Sequence, residues 1–187
     1  MTIYENVTDF NIDEATAVAL GKFDGDHIGH QRLFEELRDV AAANNLKTLV
    51  FTFSSVSPEI PQSVMTKLSL MSLEERRQTL KEEKIDYIIE YPFNPNVAAM
   101  EAEEFLSDVL IKRCNMKYIV GGPDISFGKN RRGNVDFLKD NAQAFGYGVS
   151  VIEKLKNDHG EDISSTMIKD LLIKGMFTEA DLLLHRR

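Results

Sequence analysis

The chain has 187 residues, of which 43% are apolar and 28% are charged, as is typical of one ordinary globular domain. No apolar run approaches the roughly 18 residues that a membrane-spanning helix needs, and the first residues do not form a secretory signal. The net charge of −8 disfavours nucleic acid and anionic membranes as partners, and a nucleotide ligand would need a local group of cations or backbone amides.

Strand-like and helix-like segments alternate along the chain. Five short runs rich in branched and aromatic residues predict strands at Thr16–Phe23, Lys47–Phe53, Tyr87–Tyr91, Tyr118–Gly121 and Gly148–Ile152. The stretches between them repeat apolar residues at helical spacing. This alternation predicts an α/β fold with a five-stranded, mostly parallel sheet and helices on both faces. Two short segments, Ile163–Lys174 and Thr178–His185, predict a helical tail that packs across the open end of the sheet.

No internal repeat and no linker rich in Pro, Gly or Ser divides the sequence. We therefore expect residues 1–187 to form a single domain. The single cysteine, Cys114, cannot form an internal disulfide, which favours a reducing, cytoplasmic setting.

The first candidate site is the segment from Gly21 to His30, where the first predicted strand gives way to a helix. Ligands of such sheets bind beyond the carboxyl ends of the strands. The glycines of this segment allow positive φ and close backbone approach, and the helix directs its N-terminal amides into the same space. His27 and His30 lie on one face of the first helical turn, where imidazoles can donate hydrogen bonds to phosphate oxygens.

Two other interpretations of this segment stay open. One is a glycine-rich turn with two incidental histidines. The other is a metal site formed by Asp24, His27 and His30, although transition metals usually need a third or fourth strong ligand. The position of the histidines at the start of a helix favours phosphate binding over both.

The second candidate site is the segment from Ile163 to Lys169. The hydroxyls of Ser164, Ser165 and Thr166 are good helix N-cap groups, and a cap alone would account for them. The alternative is a second phosphate-binding site, in which hydroxyls and helix amides are joined by the cation of Lys169.

The third candidate segment runs from Tyr118 to Asn134. It leads from a predicted strand into a loop that carries Lys129, Arg131 and Arg132, the densest group of cations in an acidic chain. A solvated loop would explain these charges equally well on composition alone. Their place at the carboxyl end of a strand favours a ligand contact.

These segments together resemble a known family. His27-Ile28-Gly29-His30 is similar to the signature of the α/β nucleotidyltransferase superfamily, and the longer run from Gly21 to Gln31 resembles the adenylyltransferase module of bacterial FAD synthetases. The segment Ile163–Lys169 is similar to that family's Ile-Ser-Ser-Thr-x-Ile-Arg, with Lys169 in place of the arginine. The segment that holds Gly121, Asp124 and Phe127 also resembles the family pattern, and the resemblance spans roughly residues 16 to 187.

The resemblance implies a Rossmann-like nucleotidyltransferase fold and an enzyme that transfers AMP from ATP to FMN, giving FAD and pyrophosphate. It implies that the reacting phosphates are surrounded by His27, His30, Ser165, Thr166 and Lys169. It also implies nucleotide or flavin contacts from Gly21, Phe23, Asp24, Gly25, Gly29, Ser164, Gly121, Phe127 and Arg131. Asp124 is the expected contact of Mg²⁺, an ion that usually lies between carboxylates and substrate phosphates.

Four further features depart from the family pattern. The loop after Thr52-Phe53, at Ser54–Ser57, lacks the family's histidine, Lys22 replaces a common asparagine, and Met167 replaces a frequent basic residue. The chain also stops about where bifunctional relatives would continue into a riboflavin kinase domain, so we do not expect that activity. A nucleotidyltransferase with another phosphorylated acceptor, and a nucleotide- or flavin-binding protein without catalysis, remain alternatives.

Overall fold

The computed structural model of the protein describes residues 1–54 and 69–184. Its centre is a sheet of six strands, all paired in parallel, in the order β1-β4-β3-β2-β5-β6. The strands are β1 (Thr2–Glu5), β2 (Thr16–Leu20), β3 (Lys47–Ser54), β4 (Tyr87–Pro92), β5 (Met116–Gly121) and β6 (Gly148–Val151). The chain places β3 and β4 on one side of β2 and then crosses to β5 on the other side. The strand order therefore reverses between β2 and β5, which is the position where sheets of this kind bind ligands.

Helices connect the strands and cover the sheet. They are α1 (Ile28–Ala43), α2 (Leu73–Glu82), α3 (Pro95–Ala99), α4 (Ala102–Glu104) with its π-helical continuation Phe105–Arg113, α5 (Val135–Phe145), α6 (Ser165–Ile173) and α7 (Phe177–Leu183). A short 3₁₀ turn spans Lys129–Arg131. Among the described residues no helix combines the length and apolarity that crossing a bilayer would take.

The two faces of the sheet carry separate apolar cores. Along β2, Ala17 and Ala19 pack against α1 and α2, whereas Val18 and Leu20 pack on the opposite face against the π-helical segment and α5. This alternation follows from the two-residue period of side chains along a strand. Because both faces are covered, β2 is buried along its whole length, and its sequence is an uninterrupted apolar run after Thr16. The predicted α/β fold with helices on both faces is confirmed.

Three details of the prediction were wrong. The sheet has six strands, because β1 pairs with β4 at the edge, where its two central residues are only half-buried. The strand predicted as Thr16–Phe23 ends at Leu20, and Gly21–Phe23 already belongs to the turn. The tail helices are shorter than predicted and begin at Ser165 and Phe177. His185 and residues 55–57 of the altered loop lie outside the described residues.

The helical tail packs beside the turn that follows β2. Ile168 and Leu171 of α6 and Ala180 of α7 form a small apolar core with Leu184. Leu184 also makes an antiparallel bridge to His27. The tail therefore holds the start of α6 close to the start of α1.

Candidate active site

The first helix begins at a pair of stacked histidines. His27 is the N-cap of α1: its backbone is extended, and its Nδ1 accepts a hydrogen bond from the backbone N–H of His30 at 3.3 Å. The two imidazole rings are 3.7 Å apart between centroids and inclined by 21°. A side chain at position 29 would press on the ring of His27, with a Cβ only 3.1 Å from Nδ1, so the glycine makes room for this arrangement.

The ring of His30 is fixed by the turn that precedes the helix. Its Nδ1 donates to the carbonyl oxygen of Gly25 at 2.6 Å. Gly25 has a φ of 87°, a conformation that costs glycine little, and this turns its carbonyl towards the ring. Phe23, also at positive φ, places its ring 5.4 Å from that of His30 and packs in the core against Phe34. Nε2 of His30 is therefore the nitrogen that remains for a ligand.

The second motif meets the first at this point. Ser164 is the N-cap of α6, and its hydroxyl accepts from the N–H of Met167 at 3.2 Å. The hydroxyl of Ser165 donates to the carbonyl oxygen of Asp24 at 2.5 Å and lies 3.4 Å from Nε2 of His27. Two helix N-termini that are far apart in sequence thus converge next to the end of β2. Amides at helix starts favour anions, and two such starts at one place favour a polyphosphate.

An ion pair ties the two motifs together. Lys169 Nζ lies 2.5 Å from Oδ2 of Asp24, while Oδ1 accepts from the backbone N–H of Leu70 at 2.7 Å and the hydroxyl of Ser69 at 2.9 Å. Burial opposes ionisation of Asp24, but the hydrogen bonds from Lys169, Leu70 and Ser69 outweigh it and lower the pKa of the carboxyl. Asp24 is therefore charged at neutral pH and holds Lys169 at the site.

Both histidines are neutral at pH 7. Burial, followed by the charge of His30, lowers the pKa of His27 from 6.5 to about 3. Burial also lowers the pKa of His30, although the Gly25 carbonyl and the charges of Asp24 and Asp124 act in the opposite direction. Because Nδ1 of His27 accepts a hydrogen bond, its proton resides on Nε2 and points towards Ser165. A neutral His30 carries its proton on Nδ1.

The third predicted segment lies at the neighbouring strand end. Asp124 is exposed and forms an ion pair with Lys154 at 3.3 Å. Its charge favours the protonated form of His30. Gly121 ends β5, and Phe127 is buried against Phe105 in the core. Phe127 and Phe23 present no exposed ring to a ligand.

The basic loop is exposed and bonded to its own surroundings. Arg131 donates to the hydroxyl of Ser126 at 3.0 Å, and Lys129 pairs with Glu101 at 2.9 Å. Within residues 1–54 and 69–184, no hydrogen bond or ion pair joins Arg131 to either histidine. The structure therefore brings the first two motifs together and leaves this part of the third apart from them, within the described residues.

The described residues contain no group of three or more His, Cys, Asp or Glu side chains that could hold a metal ion. In the alternative metal site, Nδ1 of both histidines is already hydrogen-bonded and Asp24 is paired with Lys169. Asp124 is different, because it is an exposed carboxylate in the loop that follows β5. A single carboxylate together with substrate phosphates is a usual environment of Mg²⁺, so Asp124 suits that ion.

Sequence reasoning missed one residue of the site, Arg76 of α2. Its guanidinium donates from Nη1 to the carbonyl oxygen of Lys22 at 3.2 Å and to the hydroxyl of Thr52 at 3.4 Å. The hydroxyl of Thr52 also donates to Lys22 at 3.3 Å. Arg76 therefore fastens the turn after β2 to the end of β3. In the sequence it belongs to a thin, polar helical stripe, which gives no sign that it is buried.

The sequence of this chain is similar to the sequences of known proteins. The family model described as FAD synthetase matches residues 9–167. A bifunctional riboflavin kinase/FMN adenylyltransferase of Buchnera aphidicola is 31% identical over 94% of the chain, which covers 56% of that relative. An FAD synthetase of Listeria monocytogenes is 31% identical over 91% of the chain, which covers 68% of it. The chain thus spans little more than half the length of the bifunctional relative.

Solved structures support the fold. A structure described as a macrolide-efflux protein from Streptococcus pneumoniae superposes with a TM-score of 0.82 at 31% identity, over 97% of this chain and 59% of the other. A pantoate-beta-alanine ligase from Francisella tularensis, solved with β-γ ATP and β-alanine, has a TM-score of 0.57 at 15% identity, over 98% and 78% of the two chains. The second likeness concerns the fold alone.

Proposed function

The chain belongs to the FAD synthetase family, and we propose that it transfers AMP from ATP to FMN, releasing pyrophosphate and forming FAD. The observation that carries this proposal is the meeting of the starts of α1 and α6, where Ser165 bonds the carbonyl of Asp24 beside His27. Two anion-favouring helix ends at the reversal of strand order suit a triphosphate.

The reaction needs no activated side-chain nucleophile. An oxygen of the FMN phosphate, already an anion at neutral pH, forms a bond to the α-phosphorus of ATP. The bond from that phosphorus to the oxygen that bridges to the β-phosphorus breaks, and pyrophosphate leaves with the electron pair. The protein then has to position the two substrates and stabilise the negative charge spread over the phosphates.

The residues of the two helix starts supply that stabilisation. Backbone amides of α1 and α6 donate to phosphate oxygens, and the exposed hydroxyl of Thr166 and the ammonium of Lys169 lie at the same helix start. His30 can donate from Nε2 only after it takes up a proton, because Nδ1 is bonded to Gly25. The charge of the triphosphate would favour that proton.

Asp124 would hold Mg²⁺ together with the phosphates. When bound, the ion would neutralise charge on the triphosphate. Lys154, which pairs with Asp124, would have to share that carboxylate or give it up. Residues 1–187 would act as one nucleotidyltransferase domain, which the single sheet from β1 to β6 supports. A buried free thiol at Cys114 fits a cytoplasmic setting.

The test is chromatography of flavins after the protein is mixed with ATP, Mg²⁺ and FMN, with pyrophosphate measured in parallel. FAD and pyrophosphate should appear in equal amounts. Pyrophosphate released only with a different phosphorylated acceptor would assign another substrate, and tight nucleotide binding without pyrophosphate would assign a binding protein.

The matched variant for this assay is His30→Ala. It should lower turnover by about a hundredfold, the effect of removing one transition-state donor. Exposed His159, in the turn after β6, provides the control as His159→Ala. Unchanged turnover in His30→Ala would contradict the role assigned to this histidine.

A further inference from the structure

Arg76 is a buried cation with unused hydrogen-bond donors. The residue is 8% exposed. Nη1 makes the bonds to Lys22 and Thr52, but Nε and Nη2 are buried without a hydrogen-bond partner among the residues that the structure describes. Buried donors are nearly always satisfied, and each one left over costs about 1–3 kcal/mol. We therefore expect a hydrogen-bond acceptor to bind the unsatisfied guanidinium at the end of the sheet.

Among the residues that the structure describes, the charge of Arg76 is only partly neutralised. It forms an ion pair with Glu90, with 3.9 Å between Nη2 and Oε1, and the charge of Asp24 also favours its protonated form. Both oxygens of Glu90 already accept from Arg77, at 2.9 and 2.6 Å, and Arg77 also pairs with Glu5. Arg77 thus already neutralises most of the negative charge of the Glu90 carboxylate. Arg76 remains a positive group that an anion would complement.

The unused donors lie beside the first motif. Arg76 lines a cavity of about 10 Å³ together with Gly25 and His30, directly at the start of α1. That volume is close to what one water molecule, or one phosphoryl oxygen, occupies. Arg76, whose Nε and Nη2 have no hydrogen-bond partner among the described residues, and His30 thus border the same small space.

We propose that Arg76 binds a phosphoryl oxygen of a substrate through Nε and Nη2, at the start of α1 next to His30. This inference rests on the proposed function, because it names a further binding residue of the same site. Arginine suits the task, since its planar group presents donors in a fixed fork and stays charged when partly buried. The bonds from Nη1 to Lys22 and Thr52 hold that fork in place.

The phosphoryl oxygen could come from ATP or from FMN, and separate titrations distinguish the two. The wild-type protein, Arg76→Met and Arg76→Lys are each titrated calorimetrically with MgATP, with FMN and with inorganic pyrophosphate. The substrate that supplies the oxygen should bind Arg76→Met about ten- to a hundredfold more weakly, as expected for a lost charge-assisted hydrogen bond. Arg76→Lys should recover part of that affinity, because the charge returns without the fork.

Thermal unfolding separates binding from a structural role. Methionine removes an under-neutralised buried cation and leaves Glu90 paired with Arg77, so the Tm without ligand should change by only a few degrees. The ligand that binds Arg76→Met more weakly should also raise the Tm of this variant by less than it raises the Tm of the wild type. Arg38→Met is the control, because Arg38 is a half-buried arginine on α1 that pairs with Glu83 on a different stretch of the chain.

The possible outcomes separate a binding role of Arg76 from a purely structural role. Unchanged affinity of Arg76→Met for all three ligands would overturn the proposal and assign the cavity to a structural water. A lower Tm without ligand in both variants, with unchanged affinity, would make Arg76 only an anchor of the turn. A wild-type protein that binds phosphoryl ligands in an Arg76-dependent way but makes no FAD would refute the proposed function alone. A wild-type protein that binds none of the ligands would refute both.

Discussion

Because two histidines are buried in their neutral form, we expect the free energy of unfolding to fall sharply in weak acid. The pKa of His27 is about 3 in the folded protein and 6.5 for an ordinary histidine. Between these values the unfolded chain binds a proton that the folded protein excludes, so the free energy of unfolding rises with pH. The stability gained by keeping His27 neutral is fully present above pH 6.5, and it is lost progressively as the pH falls through the range between the two pKa values.

The size of the effect follows from the same two values. At pH 5 the pH lies about 1.5 units below the pKa of an ordinary histidine, which is therefore mostly protonated, while His27 is still neutral. At about 1.4 kcal/mol per unit this costs about 2 kcal/mol of unfolding free energy between pH 7 and pH 5. No discount for solvent screening is needed, because His27 is only 5% exposed. Burial of His30 acts in the same direction.

Urea unfolding of the wild-type protein and His27→Asn at pH 7 and pH 5 measures this loss. Asparagine is a good N-cap, so it preserves the start of α1 while it removes the titrating ring. Titrating groups away from this histidine pair contribute equally to both proteins, and the variant should therefore lose about 2 kcal/mol less than the wild type on acidification. Exposed His159, replaced as His159→Gln, serves as the control and should show the pH dependence of the wild type. An equal loss in the wild type and His27→Asn would refute the idea that His27 is buried in its neutral form.

Three further predictions concern the turn and the start of α6. Lys169→Met should lower the rate of pyrophosphate release about tenfold or more, whereas Lys169→Arg should keep most of it, because arginine can still pair with Asp24. Gly25→Ala should lower the free energy of unfolding in urea by about 1–3 kcal/mol, because the residue has a φ of 87° and a Cβ would lie 2.7 Å from Leu70; no loss would contradict this conformation. Ser164→Ala should cost about 1 kcal/mol in the same assay, since it removes the N-cap of α6, and Ser164→Asn should cost less.

The sheet could be predicted from the sequence wherever a strand is buried on both faces. Runs such as Lys47–Phe53 are apolar enough to identify a strand without any knowledge of its neighbours. β1 was not predicted, because it is a half-exposed edge strand of four residues whose stability comes from pairing with β4. The end of β2 was misplaced because Phe23 continues the apolar pattern, although the positive φ at this residue turns its ring away from the strand and into the core.

The site was predictable to the extent that it consists of motifs. The histidines and serines stand at helix starts, and local sequence predicts such starts. The partners of these residues are set by the tertiary fold, so sequence did not reveal that Asp24 holds Lys169 or that Arg76 reaches Lys22. A charged residue on a short polar helix looks the same in sequence whether it faces solvent or a buried strand end.

In the proposed site, the ion pair between Asp24 and Lys169 would explain how a lysine can serve where the family pattern has an arginine. A free lysine would lose up to about 2 kcal/mol of side-chain entropy on gripping a phosphate. Here Asp24 already directs Lys169 to the site, with its own carboxylate fixed by Leu70 and Ser69. Ligand binding then exchanges or shares one anionic partner for another and does not order a free side chain.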